Sequence, residues 1–139
     1  HISLHIEQIE DSVCTDSKWL GFIIEQLISN AVKYSKDGGS VRIYTLHGSD
    51  GIKKDSKDDS LQLVIEDTGI GISEEDIPRI MERGFTGYNG RLDRKSSGIG
   101  LYLCRKAADR LGFVITYDAS YKNGTRVLLD MTQRYTKHE

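Results

Sequence analysis

The sequence predicts an α/β two-layer sandwich of the α+β kind: a mixed, mostly antiparallel sheet covered on one face by about three helices. Three observations lead there. Several short segments alternate apolar and polar residues with the period of a strand, and the last two are joined around K-N-G-T, a hairpin turn. Two longer segments repeat apolar residues at the three-and-four spacing of an amphipathic helix. The 139 residues suffice for one core, which buries about two-thirds of the surface that an unfolded chain exposes, so a single domain is expected over 1–139.

Taken in order, Ile2, Leu4 and Ile6 alternate with polar neighbours and read as a half-buried strand, with S-V-C-T as a short second one. A helix follows. Thr15, Asp16 or Ser17 can cap it, Leu20, Ile23, Ile24, Leu27, Ala31 and Tyr34 share its buried face, and it ends near Ser35 before Asp37-Gly38-Gly39. Val41, Ile43 and Thr45 form the next strand, and Leu61, Leu63 and Ile65 the one after. Between them G-S-D-G-I-K-K-D-S-K-D-D-S has little to bury and reads as a solvated hairpin loop. Ser73-Glu74-Glu75-Asp76 resembles the capped start of a short helical segment reaching about Met81. Gly84, Gly87 and Gly90 exclude a regular helix from Arg83 to Gly98. A further helix runs from about Gly100 to Leu111, with Leu101, Cys104, Ala108 and Leu111 on one stripe, and the strands F-V-I-T-Y and R-V-L-L-D-M follow.

Composition removes several classes of function. A net charge of −2 with no basic stripe leaves no footprint for nucleic acid, and no apolar run approaches the length of a membrane span. Cys14 and Cys104 match no paired spacing and read as free thiols, which implies a reducing compartment. His1, His5, His47 and His138 include no H-x-x-x-H pair, so a histidine metal cluster is not expected. The chain opens without methionine, directly on a strand pattern and without a signal peptide, as a piece of a longer protein would.

Three segments carry chemistry. In E-Q-L-I-S-N-A-V-K-Y, Gln26, Asn30 and Lys33 fall within about 60° of one another on the flank of the apolar stripe. An amide oxygen suits magnesium and an ammonium suits phosphate, although the same edge alone is equally a solvated helix face. In V-I-E-D-T-G-I-G-I, Asp67 is an acceptor complementary to the exocyclic amine of adenine, and Gly69 and Gly71 allow close approach of a flat ring; a plain turn is the alternative. Glu66 should point to the opposite face. In S-S-G-I-G-L-Y-L, free amides at a helix start make an anion site, or the glycines form only a flexible connection. Neither a P-loop nor a dinucleotide fingerprint is present.

Together and in this order the three segments resemble the catalytic, ATP-binding domain of sensor histidine kinases, within a wider group that includes the gyrase, Hsp90 and MutL ATPases and shares the Bergerat-type fold. Glu25 to Tyr34 looks like the N box, E-D-T-G-I-G-I the first glycine box, R-I-M-E-R-G-F-T-G the F box and the start of the ATP lid, and G-I-G-L the second glycine box. The resemblance implies ATP and Mg2+ as cofactors, with Asn30 coordinating the metal, Lys33 near the phosphates, Tyr34 near the sugar or base, and Asp67 on the adenine amine. Gly69, Gly71, Ile72, Phe85 and Ile99 would complete the nucleotide pocket, Gly98, Gly100 and Leu101 would bring main-chain amides to the phosphates, and Arg91, Arg94 and Lys95 are lid cations within reach of the triphosphate.

Glu25, Gln26 and Asn30 are the implied catalytic edge. Gln26 stands where many sensor kinases have asparagine and the ATPases a glutamate base; an amide takes no proton from water, which favours a kinase over a hydrolase. Met81 replaces the usual first phenylalanine of the F box. Further details, K-W-L-x-F-I-I-E-Q and G-F-T-G-Y-N-G-R, look most like the kinases that work beside antimicrobial-peptide transporters in Gram-positive bacteria. Neither His1 nor His5 has the setting of a phosphoaccepting histidine. The implied partners are therefore a dimerisation and histidine phosphotransfer domain of the same kinase, then a response regulator, and through a membrane region an ABC transporter. The implied place is a cytoplasmic domain of a cell-membrane protein. A gyrase-type ATPase and a non-catalytic nucleotide-sensing module are the rival readings.

Overall fold

The computed structural model describes residues 2–7, 9, 13, 15–35, 38–47, 60–72, 75–82 and 99–132, with Tyr34 and Ile99 described by their backbones alone. Cys14, Phe85, Arg91, Arg94, Lys95, Gly98 and the loop over 48–59 lie outside the described residues. The elements are β1 (Ser3–Ile6), α1 (Ser17–Tyr34), β2 (Ser40–His47), β3 (Leu61–Asp67), a 3₁₀ turn (Ile77–Arg79), α2 (Ile99–Leu111), β4 (Val114–Tyr117) and β5 (Thr125–Asp130).

One five-stranded sheet has the order β1-β2-β3-β5-β4. β1 runs parallel to β2, as a crossover through α1 requires, and the remaining pairings are antiparallel. His47 pairs with Leu61 across the end of the β2–β3 hairpin, and Val114 pairs with Asp130 in the last hairpin. The expected sandwich is thus present, with two α-helices and one 3₁₀ turn among the described residues.

Helix α1 forms where its apolar period and cap agree. Asp16 accepts from the amides of Lys18 and Trp19 at 3.0 and 3.3 Å, and Ser35 ends the helix in extended geometry. Its stripe buries Ile23, Leu27 and Ala31 against Val41, Ile43, Leu63 and Ile65 of the sheet and against Cys104, Ala107 and Ala108 of α2. The Cys104 thiol lies in this core, and burial pushes it up to about 12. Trp19 and Phe22 meet edge to face at 6.0 Å near the start of the helix.

Two local expectations are corrected, the burial of β1 and the helix up to Met81. β1 is an edge strand, and Leu4 and Ile6 remain 51% and 62% exposed; alternation specified a strand but not its place in the sheet. Of S-V-C-T, Val13 makes a β bridge, while Ser12 and Cys14 lie outside the described residues. The segment expected to be helical up to Met81 narrows to the three-residue turn Ile77–Arg79, in which Asp76 makes no side-chain cap and nothing is buried. A turn without cap or packed face lacks what sustains an α-helix.

Leu27→Ala is expected to cost about 2–5 kcal/mol and Asp16→Ala about 1 kcal/mol in urea unfolding, whereas Leu103→Ala on the exposed side of α2 stays within about 0.5 kcal/mol.

Candidate functional site

Asp67 is the last residue of β3, flanked across the sheet by Val41 of β2 and Thr125 of β5. It follows Leu61, Leu63 and Ile65 in the two-residue period, so its side chain is on the face that the helices cover. Only 3% of it is exposed, and it is the one buried charged residue among the described residues. Two main-chain amides, Gly69 at 2.8 Å and Thr125 at 3.2 Å, both donate to Oδ1. No described cation pairs with Asp67, and Oδ2 takes no hydrogen bond among the described residues. Burial pushes the carboxyl above its ordinary value, and the two amides oppose that shift without cancelling it.

The turn after Asp67 needs its glycines. Gly71 has φ +78°, a conformation side chains rarely adopt. Gly124, at the tip of the β4–β5 hairpin, lies so close that a Cβ there would stand 2.0 Å from the Asp67 carbonyl oxygen. Thr68 and Ser40 exchange two hydrogen bonds, which fasten the turn to the start of β2.

The chain leaving α1 reaches β2 at Ser40, beside Asp67, so the last turns of α1 are at the same end of the sheet as the carboxylate. Those turns carry Gln26 and Asn30, half-buried, and Glu25 and Lys33, exposed. Asn30 makes no side-chain hydrogen bond among the described residues, whereas Lys33 does have a partner. The start of α2 abuts the same edge, because a Cβ on Gly100 would lie 2.6 Å from Gln26 Oε1. Gly100, with half-buried Leu101 next to it, thus meets α1 at Gln26, one turn before Asn30, while Gly69, Gly71 and Ile72 follow Asp67 in the turn.

The geometry therefore gathers at one end of the helix-covered face a carboxylate oxygen without a partner among the described residues, an amide edge and a helix start. The donor set fits a magnesium nucleotide. Among the described residues no group of three or more His, Cys, Asp or Glu side chains could hold a metal ion. Mg2+ carried by phosphates needs only one or two protein oxygens, and the Asn30 amide offers one. Glu66 points to the other face, as expected, where its side chain is 11% exposed and bonds Tyr44 and Arg126 at 3.0 and 2.8 Å.

Residues 15–134 match the family described as histidine kinase-, DNA gyrase B-, and HSP90-like ATPase. The chain belongs to this family. Among the relatives of this family, the sensor protein kinase GraS of Staphylococcus aureus strain JH1 is 40% identical over 122 residues, 88% of this chain. The chain spans only 32% of the length of GraS. The fold is similar to the mycobacterial sensor histidine kinase MprB, with a TM-score of 0.79, 25% identity and coverage of 97% of this chain and 86% of that one. Full-length ShkA in complex with AMPPNP shares the fold at a TM-score of 0.69 and 18% identity, over 99% of this chain and 26% of that chain.

Sequence reasoning missed Thr125, Gly124 and Tyr121, whose hydroxyl donates to the Asp67 carbonyl at 3.3 Å. K-N-G-T signalled a turn, and nothing local tells which strand end that turn will meet.

Because burial raises the Asp67 carboxyl in the folded chain, folding favours its protonated form. The associated stability is fully present below the unfolded value and is lost as pH rises through the raised folded value. Asp67→Asn keeps an acceptor for both amides and removes the buried charge. Its thermal midpoint is expected to match or exceed that of the wild type at neutral pH, with the difference closing in acid. A wild type more stable than the variant at neutral pH would contradict this.

Proposed function

We propose that this chain is the ATP-binding catalytic domain of a two-component sensor histidine kinase, which transfers the γ-phosphoryl of Mg-ATP to a histidine on a separate dimerisation domain. The observation that carries the reading is the buried Asp67 carboxylate. Among the described residues no cation offsets its burial, which costs stability, and a site that retains such a cost is built for a ligand. Its Oδ2, which accepts no hydrogen bond among the described residues, is complementary to the exocyclic amine of adenine, while the ring would lie against Gly69, Gly71 and Ile72.

In this reading Asn30 holds Mg2+ through its amide oxygen, Lys33 and the lid cations Arg91, Arg94 and Lys95 neutralise phosphate charge, and the amides of Gly98, Gly100 and Leu101 cradle the phosphates. Tyr34, Phe85 and Ile99 contribute to the walls of the pocket. Held by the Asn30 amide oxygen, Mg2+ would supply charge neutralisation for the transferring phosphoryl group. The acceptor imidazole nitrogen forms the new bond to the γ-phosphorus as the bond to the bridging oxygen of ADP breaks. Gln26 orients and supplies no base, so water in the cleft is left unactivated and ATP is kept for the histidine. Exposed Glu25 meets the acceptor domain.

The similarity to GraS and the resemblance to kinases that work beside antimicrobial-peptide transporters support a parent kinase in the membrane, with this domain on the cytoplasmic side. A response regulator is the onward acceptor, and an ABC transporter is a membrane partner of the whole protein. No helix among the described residues is long and apolar enough to cross a membrane.

The test is incubation with γ-labelled ATP and a separately produced dimerisation and phosphoacceptor domain of a GraS-type kinase. We expect acid-labile, base-stable label on that domain, dependent on Mg2+ and lowered at least about a hundredfold by Asn30→Ala. Steady ATP hydrolysis without labelling, at rates unaffected by Gln26→Glu, would support the ATPase reading instead.

A further inference from the structure

None of the nucleotide contacts proposed above uses the hairpin tip beside Asp67. Its residues nevertheless touch the main chain that carries the carboxylate. The turn and the hairpin tip border a cavity of about 350 Å³, lined by Ile70, Gly71, Ile72, Tyr117, Tyr121 and Arg126 among others. A turn backed by open space is not held by packing on that side, so its orientation rests on hydrogen bonds and on the main-chain contact with Gly124.

We propose that Tyr121, held in place by Arg126 and Glu66, is a positioning residue that sets the aim of the Asp67 carboxylate and thereby the preference for adenine. The proposal rests on the reading of Asp67 as the base acceptor. The Tyr121 hydroxyl donates to the Asp67 carbonyl at 3.3 Å. The Arg126 guanidinium lies 4.3 Å from the centre of the Tyr121 ring and fixes its plane. Arg126 is itself fixed twice, by Glu66 at 2.8 Å and by Asp118 at 3.2 Å. Glu66 is braced in turn by the Tyr44 hydroxyl at 3.0 Å and by Arg42 at 3.6 Å, and Arg42 also bonds Glu7.

Glu66 and Asp67 are consecutive in a strand, so their side chains leave opposite faces of the sheet. A single peptide therefore joins the outer ionic network to the inner carboxylate. Rotation of the main chain at Asp67 would swing Oδ2 away from the cleft, and the network opposes that rotation from both sides of the residue. Tyr121 touches the main chain only, and its effect reaches the base through Asp67.

The experiment measures binding of ATP and of purine riboside triphosphate, which lacks the exocyclic amine, to the 139-residue chain with Mg2+ present. The wild type is expected to prefer ATP, and Asp67→Asn to lose that preference. Tyr121→Phe is expected to reduce it about three- to tenfold through the loss of one hydrogen bond, with affinity for the amine-free analogue unchanged. Arg126→Lys, which keeps the hydroxyl but loses the planar stack, should shift the ratio less and in the same direction. A merely structural role would weaken both nucleotides together. Full preference in Tyr121→Phe and Arg126→Lys, with the Asp67→Asn loss intact, overturns the proposal alone. Preference absent in the wild type, or retained in Asp67→Asn, overturns the base-acceptor reading and this proposal with it.

Discussion

A buried carboxylate that has no counter-charge among the described residues is the constraint on which the rest of the site depends. Two amides from segments far apart in the chain, Gly69 and Thr125, hold one oxygen of Asp67 and leave the other without a partner among the described residues. Neither amide removes the cost of burial, since the carboxyl stays above its ordinary value. A sequence under selection for stability alone would replace such a group, because a neutral side chain of the same shape satisfies the same two donors. The position is explained by something that enters the cleft and needs an acceptor.

The rest of the fold can be understood as support for that arrangement. The helix-covered face supplies a core from Ile23, Leu27, Cys104, Phe113 and Leu129, which fixes α1 against the sheet and carries Gln26 and Asn30 toward the end where β3 stops. The opposite face carries charge instead, with Arg42, Glu66 and Arg126 side by side on β2, β3 and β5. Partly exposed pairs of this kind contribute little to stability. Their geometric effect is larger, since they join three strands directly behind the turn that holds the carboxylate. Membership in the histidine kinase-, DNA gyrase B-, and HSP90-like ATPase family agrees with a cleft of this chemistry.

Much of this was legible in the sequence where the information is local. The stripe of Ile23, Leu27 and Ala31 announces α1, and the short glycine spacing after Asp67 announces a main chain built for close approach. Glu66 was expected on the outer face because a strand alternates, and it is there. What could not be read depends on pairing between distant segments. The Thr125 amide has no sequence signature, since every residue but proline carries one, and only the β3–β5 register brings it to Asp67. Edge or centre is likewise a property of the assembled sheet, which is why β1 was expected to be half-buried. The Ser73 to Met81 segment had a helix-like beginning, but among its described residues Asp76 makes no side-chain cap, none of Ile77–Arg79 is buried and Met81 alone packs against the core, which is too little to sustain a helix.

The most direct test is a crystal structure of the chain grown with ADP and Mg2+. The account predicts the exocyclic amine of the purine within hydrogen-bonding distance of Asp67 Oδ2 and the metal ion on the Asn30 amide oxygen. A purine seated elsewhere, for instance in the cavity beside Tyr121, with Asp67 Oδ2 facing no donor, would contradict it.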